Sequence, residues 1–358
     1  MGRIARGMAA RGEPVEVFTV SPDIPPGDTR RDEADGVVIH RLGQHRRVED
    51  MLADWIAHLA SEHRRRPFTV VHAYYVTRPG FTAVYVGGML GVPSIVSARG
   101  NDLDRTVLDP SKAAHTLHAL READAVTANS RDLAAKAAAL GGGREVEVIP
   151  NGVDTDHFRP VERDSSLAES LGLGDAPVIG FVGEARAKKG LAHLLLAFAE
   201  VAAKRPAVLL LVGGVRRDDR PTLDVFVARR PDVRVVVVDH VDPVDLPAYY
   251  ALLDVLVMPS LRDGLPNALL EGMACGNAVV ATDAGGMPDV LRHGVNGHMV
   301  PTGDIEGLAR GMVELIDDPA LRARYGAAAR ETVLEAFTPA REVDLTLELY
   351  RRLEGDLL

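Results

Sequence analysis

Pro259 to Ala274 read PSLRDGLPNALLEGMA. Two acids, Asp263 and Glu271, stand eight positions apart around a Gly264-Leu265-Pro266-Asn267 turn that opens a helix. Glycine lets backbone approach a ligand closely. Pro266 suits the first helical turn, where no N–H is needed. The N–H groups of that turn attract phosphate. One acid lies in the loop ahead of the helix and the other more than a turn inside it. Such an order suits a ligand with sugar hydroxyls at one end, a diphosphate in the middle and a ribose beyond.

A second segment has complementary chemistry. Gly180-Phe181-Val182-Gly183 ends an apolar run, and Arg186, Lys188 and Lys189 follow before Gly190. Three cations beside a glycine turn at the C-terminal end of a strand suit a phosphate-rich ligand, because ligands of open α/β sheets bind there. In the first half, His72 and Tyr74 lie near one strand end, and Arg99-Gly100-Asn101-Asp102 follows another. Pro150-Asn151-Gly152-Val153-Asp154 closes a third, which is also the signature of a plain Asn-Gly turn. A lone histidine at a strand end is more often packed than catalytic, so His72 is a candidate only because polar groups end several neighbouring strands. Neither a Walker-type loop, a Gly-x-Ser-x-Gly elbow nor a Gly-x-Gly-x-x-Gly opening occurs, and no His/Cys cluster has metal-ligand spacing along the chain. Kinase, dehydrogenase, hydrolase and zinc-enzyme readings are weakened accordingly.

The elements that must position these residues alternate. Apolar, β-rich runs at Val15–Thr19, Val37–Leu42, Thr69–Tyr74, Ser94–Arg99, Ala125–Ser130 and Glu145–Pro150 fill the first half. Val178–Gly183, Ala207–Gly214, Val233–Asp239, Val255–Ser260, Ala278–Asp283 and His298–Pro301 fill the second. Near-continuous apolar runs separated by helical stretches predict parallel strands buried on both faces. Two such sets, in a chain of 358 residues, predict two doubly wound α/β domains rather than one barrel. The polar stretch His157–Pro177, with two prolines beyond His157, reads as the linker, which divides the chain into 1–160 and 161–339. The tail carries Val343, Leu347, Tyr350 and Leu353 at helical spacing and is expected to pack back on the first domain.

Charge is uneven: residues 1–160 are nearly neutral at −1, and the remainder carries −9. That acidic half argues against nucleic acid as a partner. Arg64-Arg65-Arg66 is a short basic run, read first as a solvated helix end and second as a patch for peripheral contact with anionic lipid. No apolar run approaches the roughly 18 residues of a membrane span. The single Cys275 and the lack of a signal-like start fit a cytoplasmic location.

Taken in order, these segments resemble the retaining nucleotide-sugar glycosyltransferases of family 4, which have the GT-B fold of two Rossmann-like domains facing a cleft. VIPNGVD (148–154), FVGEARAKKGLAHLLLAFA (181–199), LLLVGG (209–214), LPAYYALLDVLVMPS (246–260), DGLPNALLEGMACGNAVVATDAGGMPDVL (263–291) and GVNGHMV (294–300) carry the resemblance. The first half matches more loosely, through VVHAYY (70–75), SARGNDLD (97–104) and TANS (127–130).

The resemblance implies a donor site in the second domain. Asp263 would hold donor-sugar hydroxyls and Glu271 the ribose. Backbone at Gly183, Gly264, Leu265, Pro266 and Asn267 would face sugar and diphosphate, with Lys189 on the diphosphate. His72 would be an acceptor-side candidate. It further implies an NDP-sugar (UDP- or GDP-) as substrate, retention of configuration, and neither metal nor other cofactor. The acceptor stays open among lipid, polysaccharide and small metabolite. The family's arginine after Phe-Val-Gly is Glu184 here, so Glu184 is expected to point away and Arg186 to supply that cation. The family's first acid is usually Glu, one methylene longer than Asp263. The family's opening strand and Gly-Gly loop have no counterpart ahead of Ile4-Ala5-Arg6-Gly7, so the first domain is expected to lack them. Two alternatives follow: an inactive sugar-nucleotide-binding protein of the same fold, and a nucleotide-sugar epimerase with a different acid and His set.

Overall fold

The computed structural model describes residues 2–355, which divide into two compact units. The second, Gly152–Thr338, is built on one six-stranded sheet. Its strands are β8 (Val178–Val182), β9 (Val208–Val212), β10 (Arg234–Val238), β11 (Val255–Met258), β12 (Val279–Thr282) and β13 (His298–Val300). All pair in parallel, in the order β10-β9-β8-β11-β12-β13. Successive side chains of a strand point to opposite faces, and the core obeys this. Val178, Val182, Leu210, Leu256 and Met258 pack on one face with helices Asn267–Ala274 and Pro319–Ala336. Ile179, Phe181, Leu209, Leu211, Val255 and Val257 pack on the other with helices Leu191–Ala202 and Ile305–Asp317. Burial on both faces is why these strands are apolar at nearly every position.

The described residues of the first unit are 2–151 and 339–355. Its strands fall into two sheets rather than one. β4 (Val71–Tyr74), β5 (Ser94–Ala98), β6 (Ala125–Ala128) and β7 (Glu147–Val148) pair in parallel in chain order. β1 (Val15–Ser21) pairs in parallel with β3 (Val37–Gly43), which pairs antiparallel with β2 (Thr29–Ala34). β1 and β4 each have one ladder partner among the described residues. None of the seven residues of β1 is fully buried, apolar as Val15, Val17, Phe18 and Val20 are.

β2 is an addition to the six strands expected in this half. Its sequence, TRRDEA, is polar and largely exposed, so apolar patterning misses it. The signal lies in the turn: Ala34 pairs with Val37 across Asp35-Gly36, whose φ values are 53° and 75°. Two positive φ angles in a two-residue loop make the hairpin turn that an Asp-Gly pair favours.

The division of the chain also differs from the expected 160/161. It falls at Asn151/Gly152, because Val153 N–H donates to Phe337 O (2.8 Å) and Val153 and Phe158 are buried in the second unit's core. The stretch read as a linker contains helix Ser165–Ser170, capped by the Asp164 side chain, which accepts from Leu167 N–H. Ala168 and Leu173 bury it against that same core. The tail helix Pro339–Gly355 belongs to the first unit. Val343 and Leu347 pack on Ile4 and Met8 of the opening helix Gly2–Ala9, Leu349 packs on Ile95 and Ile149, and Arg3 pairs with Glu342 at 2.9 Å.

Candidate functional site

In the second unit the strand order reverses direction between β8 and β11. Loops at the C-terminal ends of the two strands flanking such a reversal form the usual binding crevice of an open α/β sheet. Here they are the two segments singled out above. Gly183 follows β8 with φ 122°, and its N–H donates to Val212 O (2.7 Å). Pro259 to Pro266 follow β11 and lead into helix Asn267–Ala274.

The two loops are tied together through backbone. Lys188 O accepts from Leu261 N–H at 2.9 Å. Gly190 has φ 76°, and a Cβ there would fall 1.9 Å from Pro259 O. A third loop supports the second: Gly286 N–H donates to Gly264 O (2.7 Å), and a Cβ on Gly285 (φ 61°) would fall 1.8 Å from Asp263 O. At both glycines only a residue without a side chain permits the approach.

The side chains converge on the same place. Lys189 Nζ, from the first loop, forms an ion pair with Asp263 Oδ2 across 74 positions of sequence, both side chains being largely buried. Asp263 Oδ1 accepts from Gly264 N–H at 3.0 Å. Pro266 takes the cap position of the helix rather than its first turn, and a proline side chain has no acceptor to cap it with. Glu271, a half-buried residue inside the helix, accepts a hydrogen bond at Oε2 from the Tyr250 hydroxyl (3.0 Å). Burial and the neighbouring Glu271 carboxylate hold the Tyr250 hydroxyl far above its ordinary range, so it stays a donor. The same burial, with Glu271 again adding to it, pushes the Cys275 thiol up to about 12. It is therefore no nucleophile at neutral pH.

Arg186 Nη1 pairs with Glu184 Oε2 at 3.2 Å, so the cation expected to face the diphosphate has its own neighbour as a partner. One expectation is corrected. His72 offers no ring nitrogen to a ligand. Its Nδ1 meets the Tyr350 hydroxyl at 2.8 Å and its Nε2 meets Ser97 Oγ at 2.7 Å, while its ring stacks on Tyr74 (4.7 Å between centroids). Burial, with Arg99 nearby, pushes it down to about 3, so it is neutral and fixed. The Arg99–Asp102 turn is likewise internally tied. Asp102 accepts from the N–H groups of Val76, Arg99 and Gly100, and Arg99 donates to Asn151 Oδ1 (2.6 Å) and lies over the Tyr74 ring.

Two residues escaped the sequence reading. Tyr250 orients Glu271 from 21 positions away, and no local pattern announces that. Tyr75, at the C-terminal end of β4, is 52% exposed with φ 81°. A bulky residue held in that region is strained, and such strain concentrates at functional positions.

Comparison with known proteins places the whole chain. The family model described as glycosyl transferases group 1 matches residues 176–318, and that of the glycosyl transferase 4-like domain matches residues 1–152. The chain belongs to the family 4 glycosyltransferases, proteins of the GT-B fold. It is 31% identical to the GDP-mannose-dependent alpha-(1-6)-phosphatidylinositol monomannoside mannosyltransferase of Mycolicibacterium smegmatis, over 67% of this chain and 65% of that one. It is 32% identical to the alpha-maltose-1-phosphate synthase of Mycobacterium tuberculosis, over 58% of this chain and 57% of that one. The D-inositol 3-phosphate glycosyltransferase 1 of Catenulispora acidiphila is 29% identical over 98% of this chain and 89% of its own length. The chain thus spans 57–65% of the first two of these relatives. In fold it resembles the sucrose-phosphate synthase of Thermosynechococcus elongatus (TM-score 0.81, 24% identity, 99% of this chain and 92% of that one). It also resembles HepE of Anabaena, solved in complex with UDP-glucose (TM-score 0.75, 19% identity, 94% and 99%).

Proposed function

We propose that this chain transfers a sugar from a UDP- or GDP-sugar to an acceptor with retention of anomeric configuration and without a metal ion. The observation that carries this is the Lys189–Asp263 pair, set between two loops at the strand-order reversal and ahead of helix Asn267–Ala274. A donor diphosphate is a stronger partner for Lys189 than one carboxylate. On donor binding Lys189 turns to the diphosphate, and Asp263 is released to accept hydrogen bonds from sugar hydroxyls. The helix N-terminus adds its N–H groups and dipole to the same phosphates. Glu271, held by Tyr250, accepts from the ribose hydroxyls. Positive charge fixed where the leaving diphosphate develops negative charge lowers the barrier in place of a divalent ion. One relative whose name specifies GDP-mannose, and HepE with UDP-glucose, support a nucleotide-sugar donor.

Calorimetry with UDP-glucose and GDP-mannose tests this directly. Wild-type protein should bind one of them. Lys189→Ala should weaken that binding by ~10–100-fold, the loss of one or two charged hydrogen bonds, and Glu271→Ala should abolish it. Equal affinity in all three proteins would refute the placement of the donor.

A further inference from the structure

Apart from the donor loops, the first unit brings together three groups that metal ions favour. His40 lies on β3 and is 1% exposed. His58 and Glu62 lie four residues apart on helix Val48–Arg65, hence on one helix face. His40 Nδ1 and His58 Nε2 are 3.0 Å apart, and one ligand atom from each of the three residues lies within 4.8 Å of the others. Behind His40, its Nε2 meets Glu16 Oε2 of β1 at 3.0 Å, and Phe18 stacks on its ring (4.4 Å between centroids).

We propose that His40, His58 and Glu62 bind a divalent transition-metal ion, zinc by the nature of the donor set, and that the ion pins helix Val48–Arg65 to β3. Two imidazoles and one carboxylate are zinc donors, and a tetrahedral ion with bonds of about 2.0–2.2 Å sets its ligand atoms about 3.3 Å apart. The two ring nitrogens already stand near that spacing, and a side-chain rotation of Glu62 brings in its carboxylate. Arg65 Nη1 donates to Oε1 of Glu62 (2.7 Å), so the ion would engage Oε2.

Glu16 gives the strongest argument. A carboxylate on the far nitrogen of a ligating histidine keeps the hydrogen there and turns the other nitrogen's lone pair towards the metal. With Nε2–H of His40 donated to Glu16, Nδ1 is a lone pair facing His58. Without an ion, His58 Nε2–H donates to that lone pair. Ligation replaces the shared hydrogen, and His58 then carries its own on Nδ1. The three ligands leave one position for water. None of these residues belongs to the donor site, so the site is independent of the transfer proposal and of its metal-free character.

The test uses the full chain stripped with a chelator, titrated with ZnCl2 by calorimetry and with CoCl2 by visible absorption. One ion per chain is expected, with the d–d bands of tetrahedral Co2+ and a rise in Tm on adding zinc. His58→Gln and Glu62→Gln should remove the Co2+ bands and the Tm rise. Glu16→Gln should keep the bands but weaken binding ~10–100-fold, the usual effect of losing an outer carboxylate. Circular dichroism establishes that each variant is folded, and donor affinity should be the same in all. Folded wild type that binds no zinc, or zinc bound equally by wild type and both ligand variants, would overturn the proposal.

Discussion

Lys189 and Asp263 lie in different segments and suit different ligand groups, one phosphate and the other sugar hydroxyls. Their ion pair explains how a ligand-free protein keeps both charges satisfied, since a partly buried ion without a partner is costly. His72 shows the opposite outcome. Its residue type and strand-end position made it a candidate, yet Tyr350 and Ser97 occupy both nitrogens. That packing has a pH consequence. A histidine held down at about 3 binds no proton in the folded state between pH 6.5 and 3, whereas the unfolded chain does. Its contribution to stability is complete above pH 6.5 and is lost as pH falls below it, at up to about 1.4 kcal/mol per pH unit. Denaturant melts at pH 7.5 and pH 5 should therefore differ by up to about 2 kcal/mol from this residue. His72→Gln should shrink the difference, and an unchanged difference would show that other groups set the acid sensitivity.

At the scale of elements, glycines at the loop crossings decide the site's shape as much as its charges do. Gly285 brings the loop after β12 against the carbonyl of Asp263. Gly285→Ala adds a Cβ at φ 61° and 1.8 Å from that oxygen. The strain and the displacement together should cost about 2–4 kcal/mol. Donor affinity should fall with stability, because the loop that moves is the one carrying Asp263. Thermal melts and calorimetry on the same protein check both, and a stable variant with normal affinity would show that the loop adapts. Strand reading succeeded where both faces are buried, as in β8, β9 and β11, because apolar residues fill every position. It missed β2, whose polar residues are held by pairing to β3 and by the Asp35-Gly36 turn.

The whole molecule is two units of different construction. The second is one continuous segment with a sheet covered on both faces. The first is assembled from two separated segments, because Val343, Leu347 and Leu349 complete cores begun by Ile4, Met8, Ile95 and Ile149. A fragment of residues 152–338 should fold alone, melt cooperatively and retain nucleotide-sugar binding. Residues 1–151 without 339–358 should be destabilised, having lost three buried apolar side chains worth about 1.5–3 kcal/mol each. Circular dichroism melts of the two fragments check this. A second-unit fragment that fails to fold would show that its core is insufficient by itself.

The amino-acid sequence alone determined the α/β class, the strands of the second unit and the two polar loops that follow β8 and β11. These are local matters: periodicity, turn chemistry and charge act within a few residues. Tertiary structure alone decided what depends on residues far apart meeting. It joined Lys189 to Asp263, set Tyr250 behind Glu271 and closed His72 with Tyr350. It also divided the first unit's strands between two sheets and drew residues 152–160 into the second unit, since ladder partners and buried neighbours, not local propensity, fix both. No ligand spacing along the chain predicted a metal centre; β3 and helix Val48–Arg65 had to pack together before His40 could face His58 and Glu62.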